Sequence, residues 1–118
     1  MKNAEMAKIL YGIADMLEMQ DVEFKPRAYR RAAQSVETLQ RDIVEIWHEG
    51  RLRTIPGVGE AIEDKISEYL RTGRLPYYEK LKKALPVDLE SLMSVESLGP
   101  KRIGLLYRTL KIKNLDDL

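Results

Sequence analysis

Proline and glycine cut this chain into segments too short for anything but a bundle of small helices. Pro26, Pro76 and Pro100 each open a stretch whose apolar residues recur every three or four positions. A proline costs nothing in a helix's first turn, because its missing N–H would have no partner there. Gly50 and Thr72-Gly73 close two such stretches, and Pro86 breaks another. No stretch alternates as a half-buried strand would. The expected class is therefore all-α, with short helices and short turns.

Seven helices are predicted. The first runs from about Ala4 to Glu18, with Asn3 as N-cap and Met6, Ile9, Leu10, Ile13, Met16 and Leu17 on its inner face. The second starts at Pro26 and turns Ala28, Tyr29, Ala32, Ala33, Val36 and Leu39 inward; its alanines imply a close approach by a neighbour. The third, about Asp42 to Glu49, packs Ile43, Ile46 and Trp47, with His48 as a favourable charge near its C-terminus. The fourth, about Glu60 to Arg71, buries Ile62, Ile66, Tyr69 and Leu70. The fifth, from Pro76 through about Ala84, offers Tyr78, Leu81 and Leu85. Asp88 caps a short sixth, and Pro100 opens a seventh with Ile103, Leu106, Tyr107 and Leu110.

Composition removes several classes of function. A chain of 118 residues is one domain, or two small subdomains sharing a core. With no cysteine it has no disulfide, no zinc-thiolate site and no thiol nucleophile. One histidine without companions is not a transition-metal site. Apolar runs are too short to span a membrane, and the start lacks a signal peptide's apolar core. Twenty basic residues nearly cancel 19 acidic ones, so net charge alone predicts no polyanion partner. Residues 51–118 nevertheless hold 13 Lys/Arg against 10 Asp/Glu, a local tilt toward phosphate.

Two turns share one layout. IPGVG at 55–59 and VESLG at 95–99 each present a β-branched residue, two positions, an aliphatic residue and a glycine, followed by a helix. This is the helix-hairpin-helix pattern. Its glycines let successive N–H groups face outward at a helix N-terminus, where the dipole adds positive potential. Val58 or Leu98 tucks inward and pins the turn. An anion site results, at Gly57, Val58 and Gly59 and again at Leu98 and Gly99, suited to a DNA phosphate and blind to base sequence. The second copy is weaker, with Ser97 where glycine is preferred and Pro100 lacking an N–H. Lys101 and Arg102 compensate, as Arg51 and Arg53 do at the first turn.

The ordered stretches NAEMAKILYGIADMLEMQ, FKPRAYRRAA, IPGVGEAIEDKISEYLRTGRL, SLGPKR and IKNLDDL resemble the N-terminal part of family X DNA polymerases, closest to the bacterial and archaeal branch. The resemblance covers essentially the whole chain. It implies a polymerase-β-like, SAM-like short-helix bundle. Residues 1–85 would be a lyase-like DNA-binding domain with the first hairpin at about 42–72. Residues 86–118 would be a second hairpin segment, the truncated start of a further DNA-binding subdomain. The chain holds neither the Gly-Ser pair nor the Asp-x-Asp metal pair of the family's polymerase site, so Mg²⁺ is expected only in a missing polymerase domain.

The resemblance implies further roles. The parent would be a gap-filling repair polymerase, monomeric, intracellular and nucleoid-associated. Its partner would be gapped or nicked duplex DNA, gripped on the 5′-phosphate side. Lys25, Tyr29 and Arg30 match the phosphate pocket, and Phe24 stands where a histidine stacks on a base. Lys65 matches the Schiff-base nucleophile of a 5′-deoxyribose-phosphate lyase. Helical spacing places Lys65 beside the core face, the only lysine on its helix, but among Glu60, Glu63, Asp64 and Glu68. Ala61 and Tyr77 replace two family lysines. Backbone carbonyls of Arg53, Ile55 and Val58, and of Met93, Val95 and Leu98, would hold a monovalent cation, Na⁺ or K⁺. The competing expectation is a protein-interaction module that has lost DNA affinity. A DNA glycosylase is disfavoured, since no lysine directly follows the first turn.

Overall fold

A computed structural model describes residues 1–84 and 99–110, with side chains through 105. Over these residues the protein is all-helical. α1 spans Asn3–Met19, α2 Lys25–Glu37, α3 Ile43–His48, α4 Glu60–Thr72, α5 Pro76–Ala84 and α6 Pro100–Leu110. A single 3-10 turn at Leu52–Thr54 joins α3 to the loop before α4. The short helix expected after Asp88 lies outside the described residues.

α1 is the central element. It packs most broadly against α2 and also meets α5 and α6. Its apolar residues are accordingly buried on more than one side: Met6, Leu10 and Ile13 are fully enclosed, and Ala7, Ala14 and Met19 join them. Leu52, Ile55, Val58, Ile62 and Ile66 extend this core under the hairpin. Burying each such aliphatic side chain is worth roughly 1.5–3 kcal/mol, which lets helices this short hold together.

Asn3 does not cap its own helix. Lys2 occupies that position, without a side-chain bond to the helix. The Asn3 amide is buried and turned outward from α1: Nδ2 donates to the Arg41 carbonyl at 2.7 Å, and Oδ1 accepts the Ile43 N–H at 2.7 Å. It therefore caps α3, beside Asp42, whose Oδ1 accepts the Val44 N–H. Asn3→Ala is expected to lower stability by about 2 kcal/mol in urea unfolding, because it strands a buried donor and an acceptor. An unchanged midpoint would show that the clasp carries nothing.

Other inward assignments need adjusting. Ala28 is exposed, since Pro26 and Tyr29 take the inner face of α2. Trp47 is only half-buried; it packs on the core's edge with its ring 4.8 Å from that of His48. Tyr69 reaches across to α1, where its hydroxyl donates to Glu5 Oε2 at 2.5 Å, and this bond pushes its pKa up to about 12. Ile103 of α6 is fully buried, as its spacing requires.

Candidate functional site

The first hairpin is built on buried aliphatics. Leu52, Ile55 and Val58 all turn inward, and the Val58 N–H donates to the Ile55 carbonyl at 3.0 Å. Gly57 between them has φ +88°, and its α-carbon rests on α2: a side chain there would start 3.0 Å from Arg31 Cγ and 3.1 Å from the Ala32 nitrogen. The small Ala32 side chain suits this approach. Gly59 then caps α4 with extended backbone. Among the described residues nothing accepts the N–H groups of Gly57, Gly59 or Glu60. They lie at the positive end of a 13-residue helix.

Charge around the turn is mostly paired. Arg53 Nε lies 3.2 Å from Glu63 Oε1, and its NH2 lies 3.9 Å from Glu60. Arg51 approaches Glu49 at 4.0 Å. These are exposed pairs, each worth little and each able to open for a ligand. Among the described residues no donor reaches the carbonyls of Arg53 and Val58. That leaves two free oxygens of the kind a hard monovalent cation takes, while the Ile55 carbonyl accepts the Val58 N–H. Met93, Val95 and Leu98, the matching positions of the second, lie outside the described residues.

A second focus forms where α2, α4 and α5 meet. Lys65 is half-buried, with its ammonium 4.5 Å from the centre of the Tyr77 ring and 6.0 Å from that of Tyr29. Such distances suit cation–π attraction. Burial pushes both phenols above their ordinary range. None of the four acids near Lys65 in sequence pairs with it; Glu60 and Glu63 turn to Arg53 instead. Tyr77, read from sequence only as a replaced lysine, is the closest ring to the amine.

The remaining sequence-predicted residues gather around the start of α2. Phe24 has φ 68° and ψ −46°, and the Lys25 N–H donates to the Glu23 carbonyl at 2.8 Å. That is a γ-turn, a strained conformation for a residue with a side chain. It leaves the phenyl ring 85% exposed. Lys25 stands exposed at the first position of α2. Phe24, Arg30 and Lys101 line one cavity of about 340 Å³ between α1, α2 and α6. Arg30 is engaged there. Burial opposes its charge, but Asp15 at 2.9 Å and Glu18 outweigh that and hold the guanidinium above its ordinary value. Arg30 thus ties α2 to α1. Lys101 lies 3.9 Å from Asp21. Gly99 precedes α6, where its carbonyl accepts the Ile103 N–H, and Arg102 is exposed in the helix's first turn.

The sequence pattern of the helix-hairpin-helix domain matches residues 1–75. The chain belongs to the helix-hairpin-helix domain family. This helix-hairpin-helix chain is also similar to the DNA polymerase/3′-5′ exonuclease PolX of Bacillus subtilis strain 168. The two are 29% identical over 119 residues, which covers all of this chain and 20% of that protein. The chain thus spans about one fifth of the length of the curated relative it matches. Among the described residues no helix is long and apolar enough to cross a membrane.

One residue beside the first hairpin has no role in the sequence reading. Arg31 is exposed, and its stem lies against Gly57, although the IPGVG turn itself lies at 55–59, well beyond it in the chain. The alanines after it were the only signal that something packs there.

Proposed function

We propose that this domain binds DNA through backbone phosphates, without reading sequence, as the N-terminal part of a gap-filling family X polymerase. The observation that carries this is the first hairpin: N–H groups of Gly57, Gly59 and Glu60 with no acceptor among the described residues, at the N-terminus of α4. A phosphate oxygen would satisfy them and meet the helix dipole. The carbonyls of Arg53, Ile55 and Val58 would hold a sodium or potassium ion, whose charge would draw the same phosphate. The similarity to a DNA polymerase supports DNA as the polyanion. Gapped or nicked duplex is the preferred form on this reading, with Phe24 presented for stacking on a base at the discontinuity. Binding should weaken steeply with salt, by the release of about two to four counterions.

The same domain is proposed to act on the 5′-deoxyribose phosphate at such a gap. Lys65 is half-buried and forms no ion pair among the described residues, so no acid has to be displaced before its nitrogen meets a substrate carbonyl. Its nitrogen would attack the sugar aldehyde at C1′ and water would leave as the Schiff base forms; loss of a C2′ proton would then break the C3′–O bond and free the downstream strand with its 5′-phosphate, and water would hydrolyse the remaining imine to restore the amine. The Tyr77 and Tyr29 rings would orient the amine.

Borohydride trapping on a gapped duplex bearing a 5′-deoxyribose phosphate tests both parts, with a binding titration alongside. The wild-type chain is expected to form a covalent adduct. Lys65→Ala is expected to lose it while keeping its affinity for the gap. Tight, salt-sensitive binding with no adduct would sink the lyase and leave the phosphate grip. No salt-sensitive binding at all would return the domain to a protein-interaction role.

A further inference from the structure

α2 carries an unpaired basic ridge that begins at the hairpin. Arg27 and Arg31 are one helical turn apart, about 6 Å along the axis, and both are exposed. Neither forms an ion pair among the described residues. Like charges at this spacing repel and destabilise a helix. The next turn offers Gln34 and Ser35 rather than an acid. Glu23, one turn before Arg27, makes no ion pair with it. The fold has acids nearby but assigns them elsewhere: Glu18 and Asp15 to Arg30, Asp21 to Lys101, Glu60 and Glu63 to Arg53.

Position adds a second argument. Arg31 Cγ lies 3.0 Å from where a Gly57 Cβ would stand, so one end of the ridge touches the hairpin turn. At the other end Arg27 lines the cavity beside Phe24 and Lys101. A line thus runs from unpartnered backbone N–H groups, over two free guanidiniums, to an exposed aromatic ring. Phosphates along one strand fit it by charge, and Arg suits them through its planar fork of donors.

We infer that Arg27 and Arg31 form a track for the DNA backbone, holding the phosphates next to the one seated at the first hairpin. This rests on the phosphate reading of that hairpin. Among the described residues neither guanidinium has an acid to hold, and glutamine keeps the Arg31 stem beside Gly57, so removing the two charges should weaken binding without weakening the protein.

The test compares the wild-type chain, Arg27→Gln/Arg31→Gln and Arg53→Gln on a gapped duplex over a range of salt, with thermal melts of each. The double variant is expected to lose about tenfold or more in affinity. The slope of log affinity against log salt should fall in magnitude by about 1.8, at 0.9 per phosphate contact. Its melting temperature should hold or rise slightly, because a like-charge pair is relieved. Arg53→Gln, already paired with acids, should change the slope less. A double variant that keeps the wild-type slope overturns the track while the hairpin reading stands. A wild-type chain with no salt-sensitive affinity overturns both. Loss of binding to a polyglutamate peptide, with DNA affinity unchanged, would assign the ridge to a protein partner and overturn the inference.

Discussion

Gly104→Ala is expected to undock α6 from the rest of the domain. A methyl group at this position would lie 2.2 Å from the Met19 carbonyl oxygen and about 3 Å from the Met19 carbonyl carbon and α-carbon. All three are backbone atoms at the end of α1, so no rotamer change relieves the clash. Either α6 lifts or the last turn of α1 unwinds. Lifting α6 uncovers Ile103, which is fully buried. Overpacking of this kind costs typically 1–3 kcal/mol, and exposing an isoleucine adds roughly 1.5–3 kcal/mol. That is comparable to all a single docked helix contributes. Hydrogen exchange should therefore show α6 amides losing protection while α1 through α4 keep theirs. Gly99→Ala is the control, since a methyl group there meets nothing within 4 Å among the described residues. Retained protection of α6 in Gly104→Ala would mean the close approach is not a constraint.

That contact marks the limit of what the sequence discloses. Helix starts at Pro26, Pro76 and Pro100, and stops at Gly50 and Gly73, follow from local chemistry and were legible. So was the face of α1, because 3.6-residue spacing needs no knowledge of the partner. Asn3 was misread for the opposite reason. A local rule makes asparagine before a helix an N-cap, but its partners Arg41 and Ile43 are some 40 residues away. Gly104 looked like an ordinary helix-interior glycine until α1 was placed against it.

The site divides the same way. The hairpin was visible in IPGVG because its conformation is encoded within five residues. The fate of the charges was not. Glu60 and Glu63 flank Lys65 in sequence, yet Arg53 draws them off, and α5 brings the Tyr77 ring to the lysine instead. Arg30 reads as a phosphate ligand by position, and the fold gives it Asp15 and Glu18. Which cation remains available is settled by tertiary competition for a limited number of acids, and a single sequence does not carry that competition.

Gly57→Ala and Gly59→Ala should separate fold from ligand within one turn. Gly57 sits at φ +88°, where an L-residue pays about 1–2 kcal/mol. Its new methyl group would also press on Arg31 and on the Ala32 backbone. Gly57→Ala should therefore lower the melting temperature and shift the turn off α2, taking DNA affinity down by at least tenfold. Gly59 has φ −101°, and a methyl group there meets nothing within 4 Å. The fold makes no demand for glycine at this position, and alanine at an N-cap costs only about 1 kcal/mol or less. A phosphate drawn against the Gly59 N–H would make that demand, because a methyl group would hold the oxygen away. Gly59→Ala should thus melt close to wild type and still bind gapped DNA several-fold more weakly. If its affinity matches wild type, the N–H groups of this turn are not where DNA is held.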